Sequence, residues 1–347
     1  MRLRFRRPNI QRLVTTLRGG LADAVPILEL GIAPQIKEAI LGRPIASVLD
    51  DIAFMESMGY DFVKVQPGIQ FRLNRQKAHE APKAEYNNAP DRAWAGAGGA
   101  LISTWEEFEA YPWPTADDVS YANFEKAAAN LPEGMGIIGQ YGDIFTMTWE
   151  LMGFDEFSMA MVEDPELVDA IMGKVGDLIV GMFRNMASAP GIAALWYSDD
   201  IAFTSGLMVS PTWLRSHFFP RLKTIGDYAK EAGVPLIYHT DGVLYSILDD
   251  IMGAGVNALH PIEPLAMDIV ELKDRVRDRL CLCGNIDVDL LARGTPEQVS
   301  ALVRKRLDQL GNRGGYALGS SNSVPDYAKL ANYVAMVQTA LEYGTVD

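Results

Sequence analysis

Eight short apolar runs rich in Val, Ile and Leu recur along the chain, nearly every one followed by a stretch with helical periodicity. They are AVPILELG (24–31), YDFVKVQPG (60–68), GMGIIGQYG (134–142), GIAALWYSDD (191–200), VPLIYHTDG (234–242), ALHPIEP (258–264), LCLCGNID (280–287) and GYALGSSNS (315–323). Their length and composition fit buried strands. The intervening stretches carry helix signals. A first helix is expected around residues 9–18, and QIKEAIL and IASVLDDIAFMESMG precede the second run. SPTWLRSHFFPRLKTIGDYAKEAG (210–233) opens on a Ser-Pro cap pair and stops at Gly233. Pro220 should kink that helix or split it. TPEQVSALVRKRLDQLG (295–311) has Thr295 as N-cap with Gln298 three residues on, a capping box. VPDYAKLANYVAMVQTALEYG (324–344) closes the chain.

Eight buried strands alternating with helices predict an α/β fold, a (β/α)8 TIM-type barrel of parallel strands. The alternative is an open doubly wound sheet, which usually has fewer strands and often a Gly-rich nucleotide loop after the first. Here the first run ends ELGIAPQ, which is not GxGxxG. One connection stands apart. The long insertion between the second and third strands contains Pro, Gly, Asn and aromatics with little helical periodicity. On a barrel it would lie over the site face, with residues 69–119 as lid or substrate wall. Residues 1–20 are expected to form an N-terminal arm and first helix, and residues 21–347 a single barrel.

Composition narrows the partners. The chain has 347 residues, 48 % of them hydrophobic, enough for one large α/β domain or two ordinary ones. It has no charge-free apolar stretch of about 18 residues, so no membrane span is expected. A net charge of −14 argues against nucleic acid and anionic membranes as partners. The start, MRLRFRRPNIQRLVTTLRGG, is basic without an apolar signal core. Its Arg-rich, acid-free character would suit mitochondrial targeting, but a cytoplasmic protein is the simpler expectation. Cys281 and Cys283 lie two apart on one strand, too few for a disulfide framework and consistent with a reducing compartment.

In such a barrel the chemistry gathers at the carboxyl ends of the strands. The run ends supply Glu29; Gln66; Gln140 and Tyr141; Asp199 and Asp200; His239 and Asp241; His260 and Glu263; Asn285 and Asp287; Ser321 and Asn322. Some of these Asp, Asn and Ser residues will be helix caps. His239 and Asp241, two apart, fall on one strand face and could grip one ion. The alternative makes Asp241 a cap and His239 a hydrogen-bonded core residue. Of Asp199 and Asp200, adjacent and so oppositely directed, Asp200 is expected to face the site. Glu29 in its apolar setting calls for a partner, since an unpaired buried Glu is costly. Cys281 and Cys283 read first as small buried hydrophobes, with Cys283 a weak candidate for reaching the mouth. His79, in the long connection, and His217, in a helix, read as surface or core.

Longer stretches carry a resemblance. RLVTTLRGGLADAVPI, FTMTWELMGFDEFSMAMVEDPELVDAIM (145–172), YSDDIAFTSGLMVSPTWLRSHFFPRLKTI and GNIDVDLLARGTPEQV together resemble the uroporphyrinogen decarboxylase superfamily. They are closer to its methyltransferase branch, which includes methylcobalamin:coenzyme M methyltransferases and corrinoid-linked demethylases. The resemblance implies a barrel. It also implies differences in chemistry. The Arg-rich RQAGRY-like motif of true uroporphyrinogen decarboxylases is replaced by ELGIAPQ, which argues against a polycarboxylated tetrapyrrole. Zinc-dependent members bind metal through His-x-Cys on the fifth strand and a Cys near the eighth. His239 matches the histidine, Asp241 stands at the first Cys and Asn322 near the second. Oxygen donors replace thiolates, so the set would hold zinc less tightly, favour a harder ion, or bind the substrate directly.

What this resemblance implies is a corrinoid-dependent methyltransferase. It would move methyl from a small methoxylated or related donor to the cobalt of a separate corrinoid protein docking at the barrel mouth. The chain has no Asp-x-His-x-x-Gly corrinoid motif of its own. The expected catalytic residues are Asp200, His239, Asp241 and Glu29, with His239, Asp241, Asn322 and Cys283 as metal ligands. Gln66, Gln140, Tyr141, Trp196, Tyr197, Phe203 and Asn285 would bind the substrate. Two alternatives stay open: a decarboxylase or lyase acting on a small acid without corrinoid, and a non-catalytic binding protein. A homodimer is compatible with all three.

Overall fold

The computed structural model describes residues 6–69 and 100–346. Most of the long connection, with His79, lies outside the described residues. In chain order the strands are β1 (Phe62–Val65), β2 (Gly136–Gly142), β3 (Ile192–Ser198), β4 (Ala202–Phe203), β5 (Gly206–Leu207), β6 (Leu236–His239), β7 (Ala258–His260), β8 (Cys281–Cys283) and β9 (Tyr316–Ala317). Seven of them form one parallel sheet in the order β1-β2-β3-β6-β7-β8-β9, curled as in a TIM-type barrel, while β4 and β5 make a separate two-stranded hairpin. Each sheet strand comes from one of the runs. They are short and Val-, Ile- and Leu-rich because both faces are covered, one by helices and one by the barrel interior.

The helices follow their signals. Asn9 caps Ile10–Leu17 through Gln11 N–H. Thr295 and Gln298 form the expected capping box on Pro296–Leu310. Pro220 does split its helix: a π-helical turn, Leu214–Phe218, precedes Phe219–Glu231, where Pro220 sits in the first turn and needs no N–H partner. Gly233, at φ 70°, follows the end of that helix. The longest helix, Pro165–Ala187, lays Leu167, Ile171, Leu178 and Phe183 into the core beside β2 and β3. Arg12 pins the first helix by bridging Asp23 at 2.8 Å and the buried Asp61 at 2.6 Å. No described helix is long and apolar enough to cross a membrane.

The first run departs from expectation. Pro26 at its centre has no N–H for a ladder, so residues 24–31 form isolated bridges rather than a regular strand. Ile27 pairs with Leu318 and Ile32 with Val324, both parallel. Leu28 N–H donates to Leu318 O at 2.8 Å, and Leu318 N–H to Pro26 O at 2.9 Å. The run thus closes onto β9. Toward β1 no ladder is formed among the described residues, and a cavity of about 350 Å³ opens there, lined by Glu29, Ile32, Lys64 and Gln66 among others.

Glu29 clasps this closure. Its buried carboxylate accepts Ser320 N–H at 2.8 Å and the Ser320 hydroxyl at 2.6 Å. Burial pushes the carboxyl up to about 8, against the pull of those two hydrogen bonds. An acid whose folded pKa is raised binds its proton more tightly in the folded than in the unfolded state. Stability is therefore full below the unfolded value and falls as pH rises from about 4.5 toward 8. The slope from this one group is at most about 1.4 kcal/mol per pH unit. Glu29→Gln, which can still accept from and donate to Ser320, should flatten the fall. Denaturant titrations of both proteins between pH 5 and 8 check this, and parallel slopes would contradict it.

Candidate functional site

Strand register decides which side chains reach the barrel interior. Gln140 pairs with Trp196, Trp196 with Ile237, Ser198 with His239, and His239 with His260. Partners in a parallel ladder share a face, so these residues form the inner set. Tyr141 pairs with Tyr197 and Tyr197 with Tyr238 on the opposite, helix-facing set. Tyr197 is fully buried there against Phe183, Phe218 and Tyr238. Its hydroxyl donates to Asp199 at 2.5 Å and accepts Ile144 N–H at 3.1 Å. The expectation that Tyr141 and Tyr197 wall the mouth is therefore corrected. Strand alternation turns both outward.

The same alternation separates the two aspartates. Asp199 lies with Tyr197 and accepts Phe145 N–H at 2.6 Å and Thr146 N–H at 2.9 Å, capping the helix Ile144–Met152. Burial, and then Asp143 nearby, pushes its carboxyl up to about 7. Asp200 turns the other way. Its Oδ1 accepts Asp241 N–H at 2.9 Å and lies 3.7 Å from His239 Nε2.

Asp200, His239 and Asp241 are thereby brought together, with one donor atom from each within 4.8 Å of the others. Asp200 is exposed, His239 buried and Asp241 between. Burial lowers the His239 pKa, with Asp200 opposing and Lys64 assisting, so the ring stays neutral at physiological pH. Burial pushes Asp241 up to about 8, helped by the charges of Asp200 and Glu263, while a hydrogen bond from Asn322 works the other way. That bond runs from Asn322 Nδ2 to Asp241 Oδ2 at 2.8 Å. Asp241 Oδ1 is buried with no hydrogen-bond partner among the described residues.

The remaining expected residues divide. Gln66 donates to Gln140, and Gln140 donates to the Ser198 hydroxyl at 3.0 Å, so a polar row crosses the ends of β1, β2 and β3. Trp196 is fully buried in the interior, its ring 5.0 Å from that of His260 at 73°. Phe203 stands half-exposed on the β4–β5 hairpin, which the sequence pattern did not announce. Asn285 turns away: its side-chain oxygen accepts Arg306 Nε–H at 2.8 Å from the outer helix. Gly284, at φ 112°, breaks the alternation just before it. Cys283 is buried with its Sγ 4.0 Å from that of Cys281, and burial drives its thiol pKa up; it does not join the cluster. Glu29 belongs to the barrel closure. His217 lies in a helix, stacked on Trp213 and 3.2 Å from Asp169.

Two contributors were underweighted in the sequence. Glu263 accepts Gly242 N–H at 3.2 Å and adds negative charge beside Asp241. His260, fully buried, faces His239 with the two Nδ1 atoms 2.8 Å apart. Both stood among the run ends, but only cross-strand register ties His260 to His239.

The molecule is thus an α/β barrel protein with a carboxylate–imidazole cluster at the carboxyl rim of its sheet. The chain belongs to the uroporphyrinogen decarboxylase (URO-D) family, whose model matches residues 102–343. It is 26 % identical over 202 residues to a methylated-thiol–coenzyme M methyltransferase of Methanosarcina mazei, covering 57 % of this chain and 51 % of that protein. It is 27 % identical over 193 residues to a uroporphyrinogen decarboxylase of Methylococcus capsulatus, covering 55 % and 53 %. The chain spans about half the length of the curated relatives it matches. Among solved structures, a methyltransferase from Methanosarcina mazei superposes with a TM-score of 0.68 at 17 % identity, over 97 % of this chain and 99 % of that one. That likeness bears on the fold.

A neutral imidazole and two carboxylates, one of them with an unpartnered buried oxygen, fit a divalent cation. The wild-type protein should therefore take up zinc, and His239→Ala and Asp241→Ala should each lower its affinity at least on the order of tenfold. Metal analysis of the three proteins after equilibration with limiting zinc checks this. Equal loading in all three would remove the site.

Proposed function

We propose that this chain is a corrinoid-dependent methyltransferase. It would transfer methyl from a small methoxylated or related donor to the cobalt of a separate corrinoid protein, as in O-demethylation. The observation that carries the reading is the cluster of Asp200, His239 and Asp241 at the barrel rim, where oxygen donors join a single imidazole. It is supported by the family membership and by the likeness to a protein named as a methyltransferase. In this reading residues 21–347 act as one barrel; most of the expected lid, 69–119, lies outside the described residues. The corrinoid protein docks on the barrel mouth, and the chain works in the cytoplasm.

Breaking an ether C–O bond leaves charge on oxygen, which the site must stabilise. Zinc or a harder divalent ion, held by His239, Asp200 and Asp241 with Asn322 beside them, would supply Lewis-acid stabilisation of that oxygen. The chain's own groups do the rest. Without a cation, the Asp241 carboxyl, pushed up to about 8, keeps its proton at neutral pH and can give it to the leaving oxygen. The row Gln66–Gln140–Ser198 presents amide and hydroxyl groups that orient a polar donor. Trp196 forms the floor and Phe203 the rim for its apolar part.

Free cob(I)alamin offered with a panel of methoxylated aromatics tests the reading. Methylcobalamin should form, followed by its absorbance, and His239→Ala should slow its formation on the order of 100-fold or more. Release of CO2 from a small acid without any cobalamin, with no methyl transfer from any donor, would favour the decarboxylating alternative instead.

A further inference from the structure

The inner ring His260 has no place in the cluster above, yet its geometry constrains it. His239 and His260 sit opposite each other on β6 and β7, with their Nδ1 atoms 2.8 Å apart. At that distance one nitrogen carries the hydrogen and the other accepts it; two lone pairs or two N–H groups facing each other would repel. The arrangement therefore couples the tautomers of the two rings. His239 Nε2 is the atom that faces the carboxylates, 3.7 Å from Asp200 Oδ1. For that atom to bind a cation it must present a lone pair, and the hydrogen of the neutral ring must then sit on Nδ1. Nδ1–H has one acceptor among the described residues, His260 Nδ1.

We propose that His260 is the positioning residue of the cation site: by accepting His239 Nδ1–H it fixes the His239 tautomer and ring plane that aim Nε2 at the space shared with Asp200 and Asp241. His260 is suited to this; it does not join the cluster of possible ligands, and its Nε2, which then carries the ring hydrogen, is buried without a hydrogen-bond partner among the described residues. Its Nδ1 is committed to His239, and the ring is fully buried below the rim. Trp196 packs edge-to-face against it at 5.0 Å, which keeps it from rotating out of line. A carboxylate is the more usual partner behind a metal-binding histidine. Here the nitrogen of a second imidazole, buried inside the barrel, does the orienting.

The inference rests on the cation site of the proposed function and not on methyl transfer, so it is tested with zinc alone, without donor or corrinoid. Zinc affinity is read by competition with a chromophoric chelator. His260→Leu removes the acceptor and should weaken binding about 10- to 100-fold. His260→Asn, whose side-chain oxygen reaches about as far as Nδ1, should recover most of the loss. A purely structural role would move melting temperature in both variants without that split in affinity. The ¹⁵N resonances of the wild-type ring give an independent reading. With zinc bound, His239 should show a protonated Nδ1 and His260 an unprotonated, hydrogen-bond-accepting Nδ1, which decides the matter even if His260→Leu does not fold. Wild-type affinity in a folded His260→Leu, zinc on His239 Nδ1, or no zinc binding by the wild type would each overturn the proposal. A chain that binds zinc in this way but transfers no methyl group would leave it standing and refute only the reaction.

Discussion

The pairing of Ser198 with His239, and of His239 with His260, determines what the rim of this barrel presents. Side chains alternate along a strand, so a register fixed at one rung is fixed at all of them. With His239 inward, Tyr238 must face the helices and Asp241 falls back toward the mouth. With Ser198 beside His239, Asp199 is sent to cap a helix and Asp200 is left at the rim. A slip of one residue between β2 and β3 would turn Tyr197 and Asp199 inward and Ser198 and Asp200 outward. The buried hydroxyl of Tyr197 and carboxylate of Asp199 would then lose their partners at the N-terminus of Ile144–Met152, a penalty of several kcal/mol that holds the register in place.

Within that frame the cluster is a balance of like charges and burial. Asp200, Asp241 and Glu263 crowd negative charge into one corner, and Asp241 is buried enough that its carboxyl is pushed up to about 8. Such a corner is relieved by a proton or by a cation. The neutral His239 offers a nitrogen donor to a cation and none of the positive charge that would offset the carboxylates by itself. In the proposed reaction, whatever relieves the carboxylates in the resting protein would also serve the leaving oxygen.

Much of the fold was legible because parallel, doubly buried strands announce themselves as apolar runs. Seven runs became strands of one sheet, and the Thr295 capping box and the split at Pro220 formed where their residues stand. The first run did not ladder because Pro26 lies inside it, a signal present in the sequence but outweighed by the apolar neighbours. The site was less legible. Putting His239 and Asp241 on one face, and choosing Asp200 over Asp199, follows from alternation along single strands, a local property. Sorting Tyr141 and Tyr197 outward needed the same parity applied to β2 and β3. Placing His260 behind His239 required the register between strands whose histidines are 21 residues apart, which no local pattern encodes. Asn285 escaped because Gly284 breaks the alternation at the end of β8.

The central claim is that an imidazole nitrogen and two carboxylates at this rim share one small target. Crystals of the protein equilibrated with zinc, measured on both sides of the zinc absorption edge, test it most directly. The account predicts an anomalous peak within bonding distance of His239 Nε2 and of a carboxylate oxygen from Asp200 or Asp241. A peak held by other residues, or no peak at a zinc concentration that saturates the protein in solution, would contradict it.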